Sequence, residues 1–251
     1  MRMKQRGFSM IRYLIAILSI GIFLIFSLPY LGLEWILAKS DKKASDLRQL
    51  RIVQWMFKYL LWISGTKVIV KGEENVPKDE PVLYIGNHRS LFDIIITYAR
   101  CPGLTGYIAK NNLEKVPSLS LWMRRLYCLF LDRNDLKQGL KTILTGIEYV
   151  KSGVSICIFP EGTRNKGASG VLPFKEGSFK IAEKTGCAII PMALTNTDDI
   201  FENHFPKIVP TTVVLEYGKP IYPNDLEKEQ RKKLGAHCQQ LVEDMLARNT
   251  N

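Results

Sequence analysis

The chain has 251 residues, long enough to bury a full hydrophobic core without disulfides, which excludes collagen-like, repeat-only and disordered organisations. Apolar residues are 46% and charged residues 24%, an ordinary globular balance, but the formal charge of +11 is unevenly placed: residues 1–60 hold ten basic and three acidic side chains, a net +7, against +4 for the other 191. A nucleic-acid-binding domain would spread its excess over the folded body, whereas this excess flanks the most hydrophobic stretch of the chain, which points to a membrane surface and away from nucleic acid.

From Tyr13 to Leu33 no charge occurs over 21 residues, and a helix of that length covers about 30 Å, the thickness of a bilayer core. The run is too long for the apolar region of a cleaved signal peptide, so it reads as an uncleaved anchor. A second apolar stretch, Ile52 to Ile63, is too short to span and carries Trp55, Phe57, Tyr59 and Trp62, which suits an interfacial or re-entrant helix. Pro29 and Gly32 permit a bend, leaving two designs open: a single span, or two helices dipping into one leaflet with both flanks cytoplasmic. Residues 1–64 are thus expected to be membrane-anchoring helices and residues 65–251 a separate domain.

After Gly65 the pattern is α/β. Val68–Val70, Pro81–Gly86, Val154–Phe159, Ala188–Leu194 and Thr211–Tyr217 read as strands. Helices are expected over Asp135–Lys151, with Leu136, Leu140, Ile143, Leu144, Ile147 and Val150 on one face, over Phe179–Thr185, and over Leu226–Arg248. Alternating elements predict a mixed, largely parallel sheet flanked by helices. Cys101, Cys128, Cys157, Cys187 and Cys238 are widely spaced, form no C-x-x-C pair, and read as buried thiols in a reducing compartment.

Two strand ends carry chemistry. The first runs into Asn87-His88-Arg89-Ser90-Leu91-Phe92-Asp93. On one helix His88 and Asp93 would lie about 140° apart, but a helix starting at an Ser90 N-cap leaves His88 on the loop and Asp93 in the first turn. The carboxylate then holds one imidazole nitrogen and the other is left to act as a base. The alternative is that Asp93 only caps its helix. The second end is Phe159-Pro160-Glu161-Gly162-Thr163-Arg164, where glycine, hydroxyl and guanidinium together make an anion site, with Glu161 orienting a substrate hydroxyl or holding Arg164; the alternative is a plain turn. A third run, Leu129-Phe130-Leu131-Asp132-Arg133, is either a strand with a local ion pair or part of the same site. His204 and His237 read as surface or packing residues, and Asp198, Asp199 and Glu202 as a solvated acidic loop.

Taken in order, Asn87–Asp93, Phe130–Arg133, Phe159–Arg164 and Ile190-Pro191 resemble the four motifs of the glycerolipid acyltransferases, and most nearly those of the 1-acyl-glycerol-3-phosphate (lysophosphatidic acid) acyltransferases. The resemblance runs from about Val68 to Tyr217 and includes Phe174-Lys175-Glu176-Gly177-Ser178-Phe179. It implies His88 as general base and Asp93 as its orienting partner. It further implies Arg133, Glu161, Gly162, Thr163 and Arg164 as the acceptor's glycerol-phosphate site, with Asn87, Ser90 and Pro191 shaping the pocket. Two departures stand out: Tyr127 where the family often has glycine, and Arg89 where it often has glutamine. The first bears on how closely the acceptor approaches and the second on its headgroup.

The implied reaction is acyl transfer from acyl-CoA or acyl carrier protein to the free sn-2 hydroxyl of lysophosphatidic acid, giving phosphatidic acid at the cytoplasmic side of the cell membrane. No metal or cofactor is expected beyond the thioester co-substrate. The rival readings are acylation of another lysophospholipid, a thioester or ester hydrolase, and a lipid-binding membrane protein without chemistry.

Overall fold

The structure, a computed structural model, describes residues 2–132, 135–167 and 170–250, with side chains from 8 to 249 within them. Three helices come first, α1 (Arg2–Phe26), α2 (Leu28–Leu37) and α3 (Lys42–Ser64). They are followed by β1 (Lys67–Lys71), β2 (Leu83–Gly86), α4 (Leu91–Tyr98), β3 (Thr105–Lys110), α5 (Pro117–Arg125), β4 (Leu129–Leu131) and α6 (Leu136–Lys151). The chain continues with β5 (Ser155–Ile158), α7 (Lys180–Thr185), β6 (Ile189–Thr195), β7 (Thr212–Tyr217), α8 (Lys228–Lys232) and α9 (Leu234–Thr250). Contacts sort these into two compact units: Met1–Ile69 with Ser90–Cys101 and Asn196–Val213, and Val70–Arg89 with Pro102–Thr195 and Val214–Asn251.

The first unit is built on α1, α2, α3 and α4. Phe8–Phe26 of α1 is long and apolar enough to cross a membrane, with a mean hydropathy of 2.2 and 11% of it buried. The charge-free run divides where Pro29 predicts: α1 ends at Phe26, and α2 begins with the proline in its first turn, where a missing N–H leaves no helical hydrogen bond unmade. Glu34 of α2 is buried and clamped by α3. Arg48 donates from Nε and Nη2 to its two carboxylate oxygens, both at 2.8 Å, and Ser45 Oγ donates to Oε2 at 2.7 Å. Helix α3 starts on an Asp41 side-chain cap and stops at Gly65 in the left-handed conformation. Along it Trp55, Tyr59 and Trp62 stack at 5.9 and 6.1 Å between centroids, with the two tryptophans 61% and 77% exposed. Gln54 Nε2 donates to the carbonyls of Tyr98 and Cys101, closing the C-terminal end of α4.

The sheet has seven strands, in the order β1-β7-β6-β2-β5-β3-β4, of which β2 to β6 lie wholly in the second unit. β2 pairs with β5 and β6 in parallel, β3 with β5 and β4 in parallel, and β6 with β7 antiparallel, the mixed and largely parallel sheet that the sequence predicts. Strands buried on both faces read as continuous apolar runs, as Ile189–Thr195 does. On one face Leu83, Ile85, Ile156, Ile158 and Ile189 form a core with Ile147 and Val150 of α6, Ile181 of α7 and Val242 of α9. β3 and α5 are elements the sequence reading does not contain, and the helix expected over 226–248 divides into α8 and α9 around Lys233.

Helix α6 buries a different face from the expected one. Ile147 and Val150 are buried, but Leu136, Leu140 and Leu144 are 89%, 62% and 53% exposed. The buried face is turned about 130° from the leucine row and is centred on Gly139, Thr142 and Gly146. Small residues there admit close neighbours: a Cβ on Gly146 would meet Ile181 Cδ1 at 2.7 Å.

Candidate active site

Because β2, β3, β4 and β5 are parallel, with Ile85 opposite Ile158 and Ala109 opposite Phe130, their C-terminal ends share one edge of the sheet. That edge is where parallel sheets place ligands. Asn87 extends the β2–β6 ladder beyond the end of β2: its Nδ2 donates to Leu194 O and its Oδ1 accepts from Leu194 N–H, both at 2.9 Å. This side chain, 2% exposed, therefore sets where the chain leaves the sheet.

His88 follows at once and is held at both backbone groups. Its N–H donates to Glu161 Oε1 at 2.6 Å and its carbonyl accepts from Asn165 N–H at 2.7 Å. Its ring stacks on Phe159, with centroids 4.3 Å apart and planes 15° apart. Stacking uses the face of the imidazole and leaves hydrogen bonding to the edge, where both nitrogens are.

In the first unit, Ser90 is the N-cap of α4 and makes the capping box expected from sequence: its Oγ accepts from Phe92 N–H at 3.0 Å and its N–H donates to Asp93 Oδ2 at 2.8 Å. Both side chains are fully buried. Asp93 is thus a carboxylate in the first turn of a helix, bonded to the backbone N–H of the cap residue.

Beyond β5, Phe159–Arg164 forms a turn closed by Gly162 N–H to Phe159 O at 2.9 Å. Gly162 has φ +72, a left-handed conformation open to glycine, and a Cβ there would meet Lys175 Nζ at 2.9 Å. Glu161, only 4% exposed, spends both oxygens on backbone: Oε1 on His88 N–H and Oε2 on Leu172 N–H at 2.9 Å. Thr163 and Arg164 are exposed on the turn. Asn165, absent from the sequence reading, is buried; besides its backbone bond to His88, its Nδ2 donates to Gly170 O at 3.0 Å. The only signal for it was its position directly after Arg164.

Of the remaining predicted residues, Pro191 is buried in β6 opposite Ile85 and accepts Gly218 N–H at 2.8 Å. Arg133 lies outside the described residues. Its neighbour Asp132 accepts from Asn111 Nδ2 at 2.7 Å and donates its N–H to Gln138 Oε1 at 2.7 Å. Tyr127 has φ +60, a left-handed backbone that glycine adopts more readily, and its ring packs edge-on against Tyr149 at 5.1 Å. A cavity of about 60 Å³ lies under the turn, lined by Ile108, Leu131, Phe159, Gly162, Lys175 and Ser178. That is room for a few waters, so it is no lipid-sized pocket, which would need about 300 Å³ or more.

The sequence profile of the acyltransferase family matches residues 67–195, from β1 to the end of β6, and so takes in every motif above. The chain belongs to the acyltransferase family. Among relatives, it is 38% identical over 147 residues to the 1-acyl-sn-glycerol-3-phosphate acyltransferase of Borreliella burgdorferi, covering 57% of each chain. It is 31% identical to the enzyme of that name from Saccharomyces cerevisiae, over 72% of this chain and 59% of the yeast one, and 30% identical to that from Salmonella typhimurium, over 76% and 78%. The matches thus span less than two thirds of the spirochaete and yeast relatives and nearly four fifths of the Salmonella one. The crystal structure of the 1-acyl-sn-glycerophosphate (LPA) acyltransferase PlsC from Thermotoga maritima superposes over 98% of both chains with a TM-score of 0.83 at 25% identity. The acyltransferase architecture thus extends over nearly the whole chain, including the N-terminal helices.

Proposed function

We propose that this protein transfers an acyl chain from an acyl thioester, acyl-CoA or acyl carrier protein, to the sn-2 hydroxyl of 1-acyl-glycerol-3-phosphate, forming phosphatidic acid. The observation that carries this reading is the joining of two motifs at the backbone. The His88 N–H is held by Glu161 and its carbonyl by Asn165, so the base and the phosphate-type turn form one rigid piece at the C-terminal edge of the sheet. The relatives named for this reaction support the substrate assignment.

In the proposed mechanism His88, oriented by Asp93, accepts the hydroxyl proton as that oxygen attacks the thioester carbonyl carbon. The C–S bond breaks, the imidazolium returns the proton to the departing thiolate, and an ester and a free thiol result. A positioned base supplies about 10²- to 10⁴-fold, and alignment of the two substrates adds to it. Arg133, Thr163, Arg164 and the Gly162 turn receive the acceptor's phosphate, with Glu161 holding that turn to His88. Asn87, Ser90 and Pro191 set the pocket's frame.

Residues 1–64 anchor the protein in the cell membrane, with residues 65–251 catalytic and on the cytoplasmic side. The apolar Phe8–Phe26 and the exposed aromatic row of α3 support this placement. Reaction at the bilayer face spares extraction of the lysolipid chain, at ~0.8 kcal/mol per CH₂.

A reconstituted assay with acyl-CoA, acyl carrier protein thioester and a panel of lysolipids tests the reading. His88→Ala should abolish transfer, and Arg164→Ala should raise the KM for acceptor more than for donor. Turnover unchanged by His88→Ala refutes the mechanism. Fatty acid released equally with and without acceptor would identify a hydrolase instead.

A further inference from the structure

Glu202, which the sequence reads as part of a solvated acidic loop, turns back onto the start of α4. Ser90 Oγ donates to its Oε2 at 2.6 Å and Leu91 N–H donates to its Oε1 at 2.8 Å. A helix start leaves its first N–H groups without helical partners. Here two carboxylates and a hydroxyl take them: Asp93 takes Ser90 N–H, Ser90 Oγ takes Phe92 N–H, and Glu202 takes Leu91 N–H. Glu202 also fixes the Ser90 hydroxyl rotor. With its proton directed at Glu202, the serine oxygen presents a lone pair to Phe92 N–H, so the cap and the carboxylate that shares its box are set together.

The loop bearing Glu202 is in turn gripped by α1. Tyr13 stacks on Phe201, with centroids 5.5 Å apart, and meets Phe205 edge-on at 6.3 Å, while Ile208 N–H donates to Ser9 O at 3.1 Å. Within the loop, Asn203 Nδ2 donates to Asp199 Oδ1 and Asn203 N–H to Asp198 O, which stiffens the turn between the aromatic contacts and Glu202. A continuous path of contacts therefore runs from the apolar N-terminal helix, through residues 201–208, to the first turn of α4.

We propose that Glu202 is a positioning residue for Asp93, and that its loop ties the setting of the α4 first turn to α1, the helix that meets the membrane. The inference rests on the reading of Asp93 as the partner of His88. A base and its orienting carboxylate lose about 10²-fold in rate for a displacement near 1 Å, so a contact that never reaches substrate still governs turnover.

The test uses the full chain in lipid vesicles, with acyl-CoA and lysophosphatidic acid as substrates. Glu202→Ala should lower kcat by about ten- to a hundredfold with both KM values within about twofold of wild type. Glu202→Gln should recover most of that loss, because its amide oxygen still accepts Leu91 N–H and its amide nitrogen donates to Ser90 Oγ. Tyr13→Ala should lower kcat in the same direction, and the double variant with Glu202→Ala should be no slower than Glu202→Ala alone. Wild-type kcat in Glu202→Ala, a raised KM at unchanged kcat, or a glutamine variant no better than alanine would overturn the positioning role; additive losses in the double variant would overturn the tie to α1. If the alanine variant does not fold, Glu202→Asp, one methylene short of α4, replaces it under the same criteria. His88→Ala separates the two layers: full activity there defeats the reaction assignment itself, whereas an inactive His88→Ala beside a wild-type-like Glu202→Ala defeats this inference alone.

Discussion

Replacing Glu161 by glutamine separates two ways in which this carboxylate could serve acyl transfer. In the structure its two oxygens accept from His88 N–H at 2.6 Å and from Leu172 N–H at 2.9 Å, in a site 4% exposed. Glutamine keeps the shape but replaces one acceptor by an NH₂, which must face a backbone N–H it cannot bond. A hydrogen bond to a charged group contributes about 1.5–3 kcal/mol, and a buried donor left unmatched costs about 1–3 kcal/mol. One such bond lost and its donor stranded, with the other bond weakened by loss of charge, amounts to about 3–4 kcal/mol. For a chain of this size that lowers Tm by about 6–16 °C. Because one of the two donors is the backbone of His88, that side chain moves with the loop, and for His88 as the proposed base a shift near 1 Å lowers kcat by about a hundredfold.

The assay is a thermal melt in detergent together with steady-state kinetics in both substrates. Glu161 as a holder of the His88 loop gives a lower Tm and a lower kcat, with the lysolipid KM within a few-fold of wild type. A carboxylate that instead bonds the acceptor directly gives the opposite split: Tm within about 1 °C and a raised lysolipid KM. That second pattern would refute the argument from the two backbone bonds.

Asn87→Ala strands Leu194 N–H and C=O in a buried strand and should destabilise the fold by about 2–4 kcal/mol, read as a drop in denaturant midpoint. Burial, with Glu176 nearby as a lesser cause, pushes the Cys238 thiol up to about 12, and burial also raises Cys187. A raised thiol pKa keeps both groups neutral at pH 8, so in the folded protein they should resist Ellman's reagent while half-buried Cys128 reacts first, and labelling of all five should require denaturant. At Tyr127, glycine relieves a left-handed backbone by about 1 kcal/mol but forfeits the Tyr149 ring contact, about 0.5–1.5 kcal/mol, so Tyr127→Gly should leave stability within about 1 kcal/mol of wild type. Tyr127→Val, β-branched at the same φ, should melt clearly below both; equal melting of the valine and glycine variants would refute the strain argument.

What the sequence makes legible is local. Ser90 and Asp93 three residues apart ahead of an apolar run encode a capping box with no help from the rest of the chain, and the structure has it. Ile189–Thr195 encodes a strand buried on both faces in the same way. The failures are of another kind. β3 starts Thr-Gly-Tyr and ends in Lys110, a pattern too mixed to read as a strand until β4 and β5 flank it. The buried face of α6 is selected by close approach at Gly146, not by the row with most leucines, which lies about 130° away from it.

The same division holds inside the site. Residue types identify which groups are able to do chemistry, because an imidazole, a guanidinium and a hydroxyl are recognisable as such wherever they occur. They do not identify what each group is bonded to. Glu161 and Glu202 illustrate this: the first reads as orienting a substrate hydroxyl or holding Arg164 and accepts from two backbone N–H groups, while the second reads as solvated surface and closes the start of α4. The Glu161 contacts cross 73 and 11 residues and those of Glu202 about 112 and 111. At such separations the partner is decided by the fold. A carboxylate's charge therefore predicts that it will find donors, and only the topology determines whether those donors belong to a substrate or to the scaffold around it.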